Sequence, residues 1–163
     1  MTPLCRDDTA PDPNRLSKEA VLAAFRSVLA LRLEQTRQEL EALDQAAAGE
    51  TKSSAGDKYE TAREMIGQAR AMQHRIRDEA QTCLDWLDRQ DPSVVARTFA
   101  LGSLVCTPGG WFLVCPSPVE LEVNEIRVQG VTLASPFGQA CKGTHEGETR
   151  AFRDRMVEIL RIL

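Results

Sequence analysis

A chain of 163 residues and 18.0 kDa has room for one ordinary domain or two small ones, which excludes large multi-layer enzymes. Hydrophobic residues at 42% and charged residues at 27% are those of a globular protein, while aromatics at only 5% favour a helix-rich or elongated build over a thick aromatic core. With 24 acidic against 20 basic residues, net −4, the chain is not built to hold nucleic acid through bulk positive charge. No apolar run of about 18 residues occurs, and the first 14 residues carry Pro, Asp and Arg where a signal peptide needs an apolar stretch. A cytoplasmic protein with no membrane partner is therefore expected. Five cysteines (Cys5, Cys83, Cys106, Cys115, Cys141) form no C-x-x-C pair, which argues against a disulfide framework and a zinc ribbon. Cys83, Cys106 and Cys115 fall on apolar faces, where cysteine behaves as a small hydrophobe.

In chain order, residues 1–14, with Pro3, Pro11, Pro13, Asp7 and Asp8, predict a disordered leader. From 17 to about 48, Leu22, Phe25, Leu29, Leu33, Thr36, Leu40, Leu43 and Ala47 recur at steps of three and four, one helical stripe among Arg, Glu and Gln. A Gly- and Ser-containing segment, 49–56, follows. Then Tyr59, Ala62, Ile66, Ala69, Gln73, Ile76, Ala80, Cys83 and Leu87 step strictly three and four, the spacing of a coiled-coil seam. Two such helices joined by a short loop predict an antiparallel hairpin over 15–91, with its tip near 49–58 and Leu40 and Leu43 near Tyr59 and Ala62. Helices of some 30 residues reach about 45–50 Å, a reaching device or a dimerisation surface.

The pattern changes near Asp91 and Pro92. All the net negative charge lies before residue 94, where 17 acidic residues face 13 basic; the remainder holds 7 of each. Prolines and glycines now punctuate short apolar runs, so 92–163 predicts a small antiparallel β domain with one short helix, and the fold class is α+β. Residues 98–106 and 111–115 flank the turn Thr107, Pro108, Gly109, Gly110 as a hairpin. Residues 119–128 alternate in part, 131–133 give another strand, and a terminal strand closes the chain. Ser135 as N-cap, Pro136 at the first helical position and Gly143 as the stop predict one or two helical turns between them. The sheet is expected around Leu104, Val114, Ile126, Val131, Leu133, Ile159 and Leu160.

The string V-T-L-A-S-P-F-G-Q-A-C-K-G-T-H-E-G-E-T over 131–149, followed by a terminal strand, resembles the closing segment of the Gre transcript-cleavage factors. Ser135 and Pro136, Gly143, and Gly147 with Glu148 stand where that pattern wants them. Tyr59, Glu60, Thr61, Ala62, Arg63 and Glu64 are similar to the Tyr-x-Ala-Ala-Lys-Glu run that opens the family's second helix. The resemblance covers about nine tenths of the chain. It implies a coiled-coil hairpin followed by an FKBP-like domain, and a regulator of transcription elongation that binds bacterial RNA polymerase and reaches into its secondary channel. Ser135, Pro136, Phe137 and Lys142 become candidates for the polymerase contact. No catalytic residue, metal or cofactor of the chain's own is implied, since Mg²⁺ belongs to the polymerase active centre.

The family tip carries Asp-x-x-Glu shortly before the tyrosine. Ungapped alignment on Tyr59 puts those positions at Lys52 and Ala55, neither a carboxylate. Glu50, Asp57 and Glu60 are nearby acids, so Glu50, Lys52, Asp57 and Glu60 are the tip candidates. Asp57 and Glu60 share one helix face at i, i+3, and acids in a first turn also offset the helix dipole, with Ser53 or Ser54 and Asp57 resembling a capping box. His74 and His145 are far apart, and Cys141 with His145 spans a helix end, so neither pattern predicts a nucleophile. Arg70, Arg75 and Arg77 are assigned to the helix exterior, and one of Trp111 and Phe112 to the core. A competing class is a coiled-coil interaction or dimerisation protein with an FKBP-like binding module. Monomer and homodimer remain equal alternatives.

Overall fold

The structure is a computed structural model that describes residues 11–50 and 56–163, with the backbone alone at residue 50 and residues 56–59. It has the α+β fold class: two long helices, then a small β domain with a short helix. Two compact units form, Arg26–Asp88 and the described residues up to Phe25 together with Arg89–Leu163. No helix among the described residues is long and apolar enough to cross a membrane.

Helix α1 runs over Lys18–Glu50 and α2 over Gly56–Leu87, 33 and 32 residues. At a rise of ~1.5 Å per residue each spans roughly 48–50 Å, about nine turns. The Ser17 hydroxyl starts α1 by accepting the Ala20 N–H at 3.2 Å, an N-cap bond that satisfies one orphan donor. Every stripe residue of α1 named above is buried or half-buried, as is every described one of α2, while the intervening polar positions other than the half-buried Arg70 are exposed. Within the helical unit three cross-helix contacts set direction and register: Arg26 with Asp88, Glu39 with Gln73, and Asp44 with Arg70. A step of 18 residues up α1, from 26 to 44, is matched by 18 down α2, from 88 to 70, so the helices are antiparallel. The register also corrects the sequence reading. Leu40 and Leu43 lie level with residues 70–73, because both helices continue for further turns before the loop, and not beside Tyr59 and Ala62.

In the other unit, strands β1 (Leu104–Thr107), β2 (Gly110–Val114), β3 (Val119–Val123), β4 (Ile126–Val131) and β7 (Arg161–Ile162) form one sheet in the order β3-β4-β2-β1-β7. The turn between β1 and β2 is the expected one, with Thr107 opposite Gly110 and the Thr107 hydroxyl accepting from the Gly109 N–H at 3.1 Å. The sheet is antiparallel except for one pair, β2 with β4, which is parallel. After β2 the chain passes Pro116 and Pro118, leaves one place empty, and forms the β3/β4 hairpin, whose return strand fills that place. Antiparallel pairs thus dominate the sheet, as the sequence reading expected, with this one parallel pair among them.

The first and last strands are also shorter than expected. Residues 98–103 fall outside strand β1: Gly102 turns at φ 89 and the Ser103 hydroxyl donates to Ala100 O at 2.7 Å, although the Gly102 N–H still donates to Val114 O at 2.8 Å and Ser103 O accepts the Val114 N–H at 2.9 Å. The closing run is split, since Arg153 at φ 55 folds β5 (Thr149–Phe152) onto β6 (Arg155–Glu158) as a separate two-stranded sheet before β7. One face of the main sheet packs Val105, Val114, Val131 and Ile162 with Phe99, Cys141 and Ile159. The other carries Leu104, Cys106, Trp111, Leu113, Leu121 and Val128, all buried. Of the residues expected around the sheet, Leu104, Val114, Val131 and Ile159 are buried, and Ile126, Leu133 and Leu160 half-buried.

Of the expected leader, residues 1–10 lie outside the described residues. Residues 11–14 are tied to the sheet: the Cys106 thiol meets Pro11 O at 3.7 Å, and the Arg161 guanidinium donates to Pro13 O at 3.2 Å and to Asn14. Polar backbone with partners of this kind is ordered despite its composition. The buried Lys18 ammonium likewise donates to Val94 O at 2.9 Å, which fastens the start of α1 to the residues entering the β domain.

Candidate functional site

The tip falls largely beyond view. Lys52 lies outside the described residues, and Glu50 and Asp57 are located only as the last residue of α1 and the second of α2. Their side chains, and the capping box assigned to Asp57, lie outside the described residues. Glu60 is exposed on α2.

The β-domain candidates are well defined. Helix α3 (Pro136–Cys141) begins as predicted, with Ser135 as N-cap. The Ser135 hydroxyl is used twice: it accepts the Gly138 N–H at 3.0 Å and donates to Thr132 O at 2.7 Å. Ser135 is therefore a structural clamp that fixes how α3 leaves β4. This clamp sets the aim of Phe137. All the phenylalanines of the β domain meet around that ring: Phe112 at 4.7 Å between centroids and tilted, Phe152 at 5.2 Å and Phe99 at 5.9 Å, both edge to face. Phe99 is buried, whereas Phe112, Phe137 and Phe152 are half-buried, so the cluster runs from the core out to the surface. Trp111, pointing the other way from the same strand, is in the core.

Charged groups frame this aromatic face. Pro136 and Lys142 are exposed at the two ends of α3. Arg153 stands 5.2 Å from the Phe152 ring centroid, and Arg150 and Arg155 share the Phe152 face of the β5/β6 ribbon. Surface aromatics set among cations fit a protein partner with apolar and acidic side chains. Sequence reasoning named Phe137 but missed the cluster and Gly138, where an added Cβ would lie 2.1 Å from Thr132 O. A glycine inside a short helix, costly by propensity alone, was the available signal.

Cys83, Cys106, Cys115 and Cys141 are buried thiols, and Cys5 lies outside the described residues. Burial pushes the Cys141 thiol up, and the exposed His145 gives its backbone N–H to Glu148 at 2.9 Å. A thiol raised by burial is a poor nucleophile. Arg75, Arg77 and His74 are exposed, and Arg70 is half-buried in its pair with Asp44. Among the described residues no group of three or more His, Cys, Asp or Glu is placed to hold a metal ion.

No family model and no curated protein matches this chain. Among solved structures, that of the transcription factor Gfh1 is similar, with 21% identity over 85% of this chain and 93% of that one, at a TM-score of 0.35.

Proposed function

We propose that the chain is a Gre-like regulator of bacterial RNA polymerase that docks through its β domain and presents the tip of its helical hairpin in the secondary channel. It has no active site of its own. The observation that carries the reading is the self-covered hairpin: the stripes of α1 and α2 occupy each other within one chain, held in register by Arg26 with Asp88 and Asp44 with Arg70. A dimerisation rod would keep its stripe for a second chain, whereas a hairpin satisfied internally leaves its polar tip, 50–60, available for work elsewhere. The Ser135-clamped Phe137 cluster, with Pro136 and Lys142 beside it, supplies the docking surface.

Retention on immobilised core RNA polymerase at micromolar concentration tests the proposal. Wild type should be held, and Lys142→Glu together with Pro136→Ala should weaken retention without loss of folding, because both side chains are exposed. A wild-type chain that passes through unretained would eliminate the polymerase role.

A further inference from the structure

Strand β3 is the outer strand of the five-stranded sheet, and the geometry of its hairpin decides which groups face outward. Asn124 and Glu125, at φ 51 and 64, form a two-residue turn of the type with both central residues left-handed. In such a hairpin the flanking pair, Val123 with Ile126, is hydrogen-bonded, and bonded pairs then alternate through Leu121 with Val128 to Val119 with Gly130. Glu120 and Glu122 therefore turn their backbone N–H and C=O away from β4. Among the described residues no backbone hydrogen bond from outside the strand ladders reaches either of them. The opposite edge is treated differently, since the Ile162 N–H of β7 donates to the Glu146 carboxylate at 3.1 Å. Among the described residues one edge is capped at Ile162 by the chain itself and the other is open.

The open edge is also charged. The side chains of Glu120 and Glu122 are exposed, and neither enters an ion pair among the described residues. Their cross-strand neighbours on β4 are Gln129 and Arg127. Antiparallel pairing with a second copy, centred on residue 120, 121 or 122, sets glutamate opposite glutamate, and like charges directly opposite oppose pairing. Acidic residues on an edge thus discourage self-association. The same charges complement a strand with cations at alternate positions. We propose that the free edge of β3 takes up an extended segment of a partner protein, with Lys or Arg at alternate positions, as a sixth strand. The backbone of Glu120 and Glu122 supplies the bonds and their carboxylates supply the selectivity.

Amide exchange in the full chain, read by NMR with the synthetic peptide acetyl-Lys-Val-Lys-Val-Lys-amide, tests this. The peptide should slow exchange at Glu120 and Glu122 by about tenfold, while Leu121, already bonded to β4, stays unchanged. A Glu120→Lys, Glu122→Lys double variant should lose that protection with the remaining amide spectrum intact, as both side chains are exposed. Unchanged exchange at the two glutamates with the lysine peptide would overturn the proposal. So would equal protection by acetyl-Glu-Val-Glu-Val-Glu-amide, or a dimer of the free chain whose pairing protects the same two amides.

Discussion

Two glycines in helices separate what propensity wants from what packing allows. At Gly67 in α2 an added methyl meets nothing within 4 Å, so Gly67→Ala should raise stability by about 0.5–1 kcal/mol through helix propensity alone. At Gly138 the same methyl would lie 2.1 Å from Thr132 O and 2.9 Å from Leu133 Cα, backbone atoms that the Ser135 clamp holds in place. Gly138→Ala should therefore lower stability by roughly 1–3 kcal/mol, the usual cost of overpacking. Urea unfolding of the two variants should show opposite signs. The cysteines yield a second residue-scale expectation. Burial pushes the Cys106 thiol up to about 11, above its ordinary value of 9.0, so the folded chain keeps a proton that the unfolded chain loses first. Between those values the folded state binds more protons, and stability falls as pH rises from about 9 to 11. Cys106→Ala should reduce that slope in denaturant titrations across the interval. Below pH 9, alkylating reagents should leave Cys83, Cys106, Cys115 and Cys141 unlabelled in the native chain, because all four are buried.

At the scale of the elements, the hairpin owes its stability to the stripe and its register to the polar contacts beside it. Leu29 is 2% exposed, and Leu29→Ala should cost about 2–5 kcal/mol in thermal or urea unfolding. Arg70→Ala removes an exposed pair with Asp44 and should cost less than ~1 kcal/mol. The stripe was legible in the sequence because a period of three and four residues is a local property, written in Leu22 to Ala47 and Ala62 to Leu87. The register was not, since a repeated seam matches itself at several offsets and the contacts of Arg26 with Asp88, Glu39 with Gln73 and Asp44 with Arg70 choose among them. The β domain divides in the same way. Ser135, Pro136 and Gly143 mark α3 by their own backbone preferences, so that helix could be read directly. The parallel pairing of β2 with β4 depends on where the chain goes after Val114, and alternation within a strand says nothing about its neighbour. The aromatic cluster was hidden for a related reason: Phe99, Phe112, Phe137 and Phe152 come from four separate places in the sequence, and only the fold brings them around one ring.

On the proposal that the chain regulates RNA polymerase, the decisive question is which charge the tip would bring to the polymerase active centre. Transcript cleavage there needs a second divalent cation, which lowers the pKa of a water and stabilises charge on the phosphoryl oxygens; its binding strengthens with the number of anionic oxygens around it. Two tip carboxylates would recruit the ion. This chain has Lys52 and Ala55 where the resembled pattern has acids, and Asp57 stands in the first turn of α2, a position at which an acid already offsets the helix dipole. On the same proposal, a Lys52 ammonium that reached the active centre would repel a divalent cation and substitute for it electrostatically. The expected behaviour is thus occupation of the channel without stimulated hydrolysis. In a transcript-cleavage assay on stalled complexes, wild type should leave the cleavage rate unchanged and slow RNA synthesis, and Lys52→Ala should relieve that inhibition while Glu50→Ala and Asp57→Ala leave it in place. Strong Mg²⁺-dependent cleavage by wild type, abolished by Glu50→Ala or Asp57→Ala, would instead assign those two carboxylates to the metal and reverse the role proposed for Lys52.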